Sequence, residues 1–83
     1  MDYSKYQNNL PWENRRKNEA AFHAYNAETI RLTNLFKADL FEEYGVADNP
    51  KADDAFNLAW QHGHSAGYSE VANYFDDFVR LIL

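Results

Sequence analysis

Two histidines near the centre of the second half of the chain, His62 and His64, are the first candidates for metal or acid–base chemistry. On a helix, residues two apart point about 200° away from each other, so these imidazoles cannot bind one metal ion together. No other metal-ligating residue type lies three or four positions from either histidine. Glu19 and His23 do have that spacing, but two ligands make an incomplete site. We predict no metal site and no cofactor.

Ser65 follows the histidines and is a candidate nucleophile. We place it within a helix, where the neighbouring backbone N–H groups are already bonded and cannot form an oxyanion hole. The acidic pairs of the chain are adjacent in sequence, so their side chains splay about 100° apart on a helix instead of facing one substrate. The sequence therefore predicts no catalytic residue and a protein that is not an enzyme.

A stripe of small residues runs through the same region, at Ala55, Ala59, Gly63 and Gly67. Four-residue spacing puts them on one face of a helix, where missing side chains allow another backbone to approach closely. A glycine inside a helix costs roughly 0.5–1 kcal/mol relative to alanine. Two glycines in one stripe therefore indicate a helix-packing role.

The first element that would position these residues is a long helix. Residues 1–9 are polar and predict a loose N-terminal arm, and Asn9 with Pro11 predicts a helix start. Over residues 10–44, apolar residues recur every three or four positions, which is typical of an amphipathic helix. The weakest point of that pattern is near Asn26, where the helix could kink.

The second element is a helix over residues 50–82. Gly45 predicts a left-handed cap at the end of the first helix, and residues 45–49 predict a turn. Asp48 or Asn49 would cap the second helix, whose apolar residues again follow three- and four-residue steps. The sequence thus predicts one all-α domain, an antiparallel hairpin of two long helices.

One helix–helix interface cannot cover the aromatic side chains of this sequence, since aromatic residues make up 17% of the chain. We expect a homodimer that forms a four-helix bundle. The alternative is a bend in the first helix that gives a compact three-helix bundle.

Charge is unevenly distributed along the chain. Residues 1–44 are nearly balanced, whereas residues 45–83 carry two basic and six acidic side chains. Such a field repels phosphate backbones and disfavours general nucleic-acid binding. No stretch approaches the ~20 apolar residues needed to cross a bilayer, and no cysteine is present. We expect a cytoplasmic protein that does not contact membranes.

Interfaces are rich in tryptophan and tyrosine, and an acidic surface suits docking onto a basic one. The candidate interaction surface combines both kinds of residue: Trp12, Tyr68, Glu70, Asp76 and Asp77.

A pattern of short segments covers residues 39–83: Asp39–Val46, Asn49–Lys51, Ala59–Trp60, Gly63–Ser65, Gly67–Tyr68, Glu70–Val71 and Tyr74–Phe75. It resembles a family of small proteins encoded by tailed bacteriophages. The resemblance implies an accessory protein made in an infected bacterium, in whose cytoplasm it would bind or inhibit a host factor. It brings no catalytic residue.

The leading hypothesis is a non-enzymatic interaction protein that binds a host or phage protein through its acidic and aromatic surface. Imitation of DNA by that surface is a special case. A second hypothesis is a pocket for a small, nucleotide-type ligand around Trp60, Gly63, His64 and Gly67. A third is a structural or assembly protein.

Overall fold

Helices form all the regular structure of this protein. The computed structural model describes residues 1–83 apart from the side chain of Asn14. Short 3₁₀-helices span Tyr3–Tyr6 and Trp12–Arg16, and three α-helices follow: α1 (Glu19–Tyr44), α2 (Lys51–Gly63) and α3 (Tyr68–Ile82). The described residues contain no strand, which confirms the all-α prediction. None of the described helices is long and apolar enough to cross a membrane.

The chain divides into two compact units, Met1–Phe36 and Lys37–Leu83. In the first unit, α1 begins at Glu19 and not at residue 10, so the predicted start is wrong. The Asn18 side chain accepts a hydrogen bond of 2.8 Å from the Ala21 backbone N–H, which makes it the N-terminal cap. The basic residues just before Asn18 would meet the positive end of a longer helix dipole, which disfavours an earlier start.

The N-terminal segment packs against α1 instead of forming a loose arm, so that prediction is also wrong. Tyr6 is almost fully buried, and its ring lies 5.2 Å from that of Phe36 in an edge-to-face arrangement. The Asn8 side-chain amide donates to the Tyr25 carbonyl at 3.1 Å and to the Thr29 hydroxyl at 2.9 Å. These long-range contacts order residues that sequence periodicity leaves without structure.

The end of α1 follows the predicted capping pattern. Gly45 has φ 66°, and its N–H donates to the Glu42 carbonyl, while the Val46 N–H donates to the Phe41 carbonyl at 3.0 Å. This pair of bonds is a Schellman motif, in which glycine adopts the left-handed conformation without a steric cost. The Asn49 side chain then accepts a bond of 3.0 Å from the Lys51 N–H where α2 begins.

The predicted second helix over 50–82 is wrong as a single element, because it is divided between Gly63 and Tyr68. Gly67 has φ 113° and ψ 174°, a conformation that side-chain-bearing residues rarely adopt. Its N–H donates to the Gly63 carbonyl at 3.2 Å, and its own carbonyl accepts from the Val71 N–H. The glycine therefore turns the chain so that α3 packs back on α2.

The small residues of α2 face α3. Ala55, Ala59 and Gly63 are buried. A Cβ atom on Gly63 would lie 2.8 Å from the Val71 backbone nitrogen, so no side chain fits there. Gly67 has no atom within 4 Å of such a position and is exposed. It serves the turn, and its predicted place in the packing stripe is wrong.

Away from the turn, the space between α2 and α3 is filled by aromatic rings. The Phe41 ring, from the end of α1, lies 6.1 Å from that of Phe56 and 5.6 Å from that of Phe75. All three are buried. The core of this unit is thus tight at Gly63 and is filled near Phe56 by aromatic rings, one of which comes from α1. The homodimer stays a prediction.

Candidate functional site

An open hollow lies beside the turn that joins α2 to α3. It has a volume of about 190 Å³ and is lined by Trp60, His64, Gly67 and Tyr68. The Trp60 ring is stacked on that of His64, with centroids 5.6 Å apart, and lies 6.3 Å from the tilted Tyr68 ring. Three aromatic rings, one each from α2, the turn and α3, therefore line one small space.

Local structure fixes these rings. Trp60 and His64 are one helical turn apart, so their side chains lie on the same side of α2. His64 Nδ1 donates a hydrogen bond of 2.8 Å to the Trp60 backbone carbonyl. That bond places the proton of the neutral ring on Nδ1 and leaves Nε2 as an acceptor. Gly67 then brings Tyr68, the first residue of α3, against Trp60.

His62 lies on the other flank of the helix pair. Its ring is 5.5 Å from that of Tyr74 and 5.4 Å from that of Phe78. The two histidines thus belong to separate aromatic clusters. Glu19 and His23 make an exposed side-chain contact of 3.4 Å. Among the described residues, no three His, Asp or Glu side chains group as metal ligands would.

Ser65 lies in the turn and is exposed, so its predicted position within a helix is wrong. Residues 63–67 read Gly-His-Ser-Ala-Gly, which has the G-x-S-x-G spacing of the hydrolase nucleophile elbow. In hydrolases that elbow connects a strand to a helix, whereas here it connects α2 to α3. The spacing is therefore present without the structural setting that gives it a catalytic meaning.

The unit of residues 37–83 is strongly acidic. It carries nine acidic and three basic side chains, a net charge of −6. Lys37 contacts Asp53 at 2.6 Å, and Arg80 contacts Asp76 at 3.3 Å. Six exposed carboxylates of this unit make no hydrogen bond or ion pair with any described side chain: Glu42, Glu43, Asp48, Asp54, Glu70 and Asp77.

The five residues predicted to form the interaction surface have different surroundings. Tyr68 is half-buried in the hollow, whereas Glu70 and Asp77 are exposed on α3. Asp76 is half-buried and accepts a hydrogen bond of 2.9 Å from the Tyr44 hydroxyl. Its carboxylate is therefore engaged within the molecule and is not a free docking group. Trp12 lies in the other unit.

Trp12 is covered by a cation from its own chain. The Arg15 guanidinium carbon lies 3.7 Å from the Trp12 ring centroid, and that of Arg16 lies 5.5 Å away. These distances are typical of cation–π contacts. Even so, 48% of the Trp12 surface remains exposed.

Sequence reasoning named Trp60, Gly63, His64 and Gly67 together for the ligand hypothesis, and the structure brings all of them except Gly63 to the hollow. Gly63 is instead buried against Val71 of α3. Sequence reasoning missed the Tyr44–Asp76 bond, because the two residues are far apart in sequence and belong to different helices. It also separated Tyr68 from Trp60, because it treated α2 and α3 as one continuous rod.

The fold and the hollow define a small all-α protein with an acidic surface and an open aromatic site. The model of a family of unknown function, DUF8546, matches residues 2–83, so the chain belongs to that family. No curated protein and no solved structure matches the chain.

Proposed function

We propose that this protein is a non-enzymatic interaction module that binds another protein through the acidic and aromatic surface of residues 37–83. The resemblance of residues 39–83 to small phage proteins makes a bacterial host protein, or a second phage protein, the proposed partner. Binding would block or redirect that partner in the bacterial cytoplasm.

The observation that carries this proposal is an aromatic hollow within a unit in which six exposed carboxylates have no internal partner. Trp60 and Tyr68 supply rigid apolar contact area with little conformational entropy to lose, which is why such residues dominate interface energetics. Unpaired carboxylates such as Glu70 and Asp77 attract a basic surface over a Debye length of about 8 Å at physiological salt. Ring contacts then supply affinity, and charge supplies orientation and association rate.

Affinity capture from a bacterial host with the full chain as bait tests the proposal. Neutralising two carboxylates with Glu70→Gln and Asp77→Asn should weaken capture of the same partner, most clearly at low salt. The matched control neutralises two exposed carboxylates of the other unit with Glu13→Gln and Glu19→Gln, and we expect normal capture. Equal loss in both variants, or capture that does not depend on salt, contradicts an acidic docking surface.

Imitation of DNA is a special case of this function. If the carboxylates occupied a nucleic-acid site, duplex DNA would compete with this protein for the captured partner. Competition in a mobility-shift assay would show that this protein occupies the nucleic-acid site of its partner.

A second candidate is binding of a small, nucleotide-type ligand, which the hollow itself favours because it gathers three of the four residues named for that role, all except Gly63. Its volume of about 190 Å³ lies below the ~300–1,000 Å³ of typical small-molecule sites. A thermal-shift screen with nucleotides tests it, since a tight ligand raises the melting temperature. If the role is purely structural or in assembly, we expect neither a partner from affinity capture nor a ligand from the thermal-shift screen.

A further inference from the structure

We propose that the hollow formed by Trp60, His64, Gly67 and Tyr68 receives a lysine or arginine side chain from a basic segment of the partner protein. This inference rests on the proposed function and adds the chemistry of its central contact.

The size of the hollow points to a single side chain. A volume of about 190 Å³ is below that of the pockets that bind drug-sized molecules, which measure ~300–1,000 Å³. The hollow is open on one side, so a side chain projecting from a partner can enter it while the partner's backbone stays outside.

Its walls favour a cation. Trp60, His64 and Tyr68 line the hollow with aromatic rings, and the negative quadrupole of an aromatic ring attracts ammonium and guanidinium groups. His64 donates through Nδ1 to the Trp60 carbonyl, so Nε2 of the neutral ring is an acceptor beside the hollow. A cationic donor is therefore attracted both by the aromatic lining and by the Nε2 lone pair, and each of these repels an anion.

Cations of the same chain already use its other aromatic rings in this way. Arg15 lies over Trp12, and Lys37 Nζ lies 5.5 Å from the ring centroids of both Phe41 and Phe56. No described Lys or Arg lies over Trp60, whose ring neighbours are Phe56, His64 and Tyr68. Of its two tryptophans, the protein thus supplies a cation to only one.

The charge of the residues around the hollow is negative, which favours binding of a cation. The unit of residues 37–83 has a net charge of −6, and Glu70, two residues after Tyr68, is exposed and unpaired. Lys37 and Arg80 are each held by an aspartate. The negative end of α2 and the positive end of α3 meet at the turn, so their dipoles oppose each other and the carboxylates determine the local field.

The test uses three capped tripeptides, each with glycine on both sides of a central lysine, norleucine or glutamate. The full chain, labelled with ¹⁵N, is titrated with each peptide, and Trp12→Phe identifies the Trp60 indole signal. We expect the lysine peptide to shift that signal and the Gly67 amide, and to bind at least about fivefold more tightly than norleucine. Equal binding of lysine and norleucine, or no binding by either, overturns the proposal.

Two variants separate the hollow from the general acidic field. Tyr68→Leu keeps apolar bulk but removes one π face, and we expect about three- to tenfold weaker binding of the lysine peptide. Tyr74→Leu changes the other tyrosine of α3, outside the hollow, and should leave binding unchanged. Circular dichroism verifies that both variants fold. If Tyr68→Leu unfolds, His64→Ala takes its place, with the same expected loss. Equal binding by hollow and control variants contradicts the proposal.

The two proposals can fail independently. A captured partner that binds Tyr68→Leu normally, and that a lysine peptide does not displace, leaves the proposed function intact and overturns the cation site. Lysine-peptide binding in the hollow, combined with no captured partner, supports the cation site and contradicts the proposed function.

Discussion

The Tyr44 hydroxyl donates a hydrogen bond of 2.9 Å to Asp76 Oδ1 and so ties the last turn of α1 to α3. The Tyr44 ring also packs edge-to-face on Phe75, with centroids 5.2 Å apart. Partial burial, followed by the bond to Asp76, raises the pKa of Tyr44 from 10.0 to about 12. A tyrosine at an exposed position would lack both effects.

This bond predicts a loss of stability at alkaline pH. Because the folded state holds the Tyr44 proton more tightly than the unfolded state does, its contribution is fully present below pH 10.0 and is lost as the pH rises through about 12. Tyr44→Phe should cost about 0.5–1.5 kcal/mol of unfolding free energy at neutral pH. The difference between wild type and variant should shrink toward pH 12 in urea unfolding experiments.

Asp76→Asn provides the control for this bond. The double variant with Tyr44→Phe should be less destabilised than the sum of the two single changes, because both remove the same interaction. Additive effects would show that the hydroxyl and the carboxylate contribute independently.

The close contact at Gly63 predicts a second effect. Gly63→Ala places a methyl group 2.8 Å from the Val71 nitrogen and 3.0 Å from the Glu70 carbonyl carbon, both backbone atoms. Because α2 and α3 must then move apart, we expect the free energy of unfolding to fall by about 1–3 kcal/mol. The midpoint of urea unfolding measures this loss.

Ser65→Ala, in the exposed turn two residues further on, is the matched control and should change stability by less than about 0.5 kcal/mol. A Gly63→Ala protein that unfolds at the same urea concentration as Ser65→Ala would contradict the close packing of the two helices.

The cap of α1 gives a third prediction. Asn18→Ala removes the side-chain oxygen that accepts the Ala21 N–H, and we expect a cost of about 1 kcal/mol. Asn34→Ala, an exposed position inside the same helix, should be neutral or slightly stabilising because alanine is the better helix former. Thermal unfolding of the two variants compares the two positions. Equal melting temperatures of the two variants would contradict the assignment of Asn18 as the N-terminal cap of α1.

Self-association is the fourth prediction. Phe22 and Ile30 of α1 are 44% and 61% exposed, and a homodimer would cover such side chains. We expect Ile30→Glu to shift the protein to monomer in light-scattering measurements. Ala24→Glu adds the same charge at an exposed position on the other side of α1 and should leave the dimer unchanged. If the wild-type protein is monomeric at high concentration, the prediction of a homodimer is wrong.

Local signals allowed much of the fold to be predicted from sequence. The three- and four-residue periodicity gave the helical class, and Gly45 marked the end of α1 because only a left-handed glycine completes its capping motif. The break at Gly67 could not be predicted in this way. Val71 and Phe75 continue the apolar spacing across it, and a glycine fits a packing stripe and a turn equally well.

Contacts between distant residues account for the other differences. Tyr6 is buried because Phe36, thirty residues later, offers its ring edge, and no local pattern contains that information. Trp60 and Tyr68 are eight residues apart and would be separated by ~12 Å along a continuous helix. The turn brings their rings to 6.3 Å, so the hollow exists only because the helix is broken.

The absence of a side chain at Gly63 has a consequence for ligand recognition by the hollow. Trp60 belongs to α2 and Tyr68 to α3, so the gap between the two rings depends on how near the helix axes come. The close contact between Gly63 and Val71 constrains that distance, and neither residue lines the hollow. We therefore expect Gly63→Ala to change the gap between the two rings, and with it the size of side chain that the proposed site accepts, without altering any residue that lines the hollow.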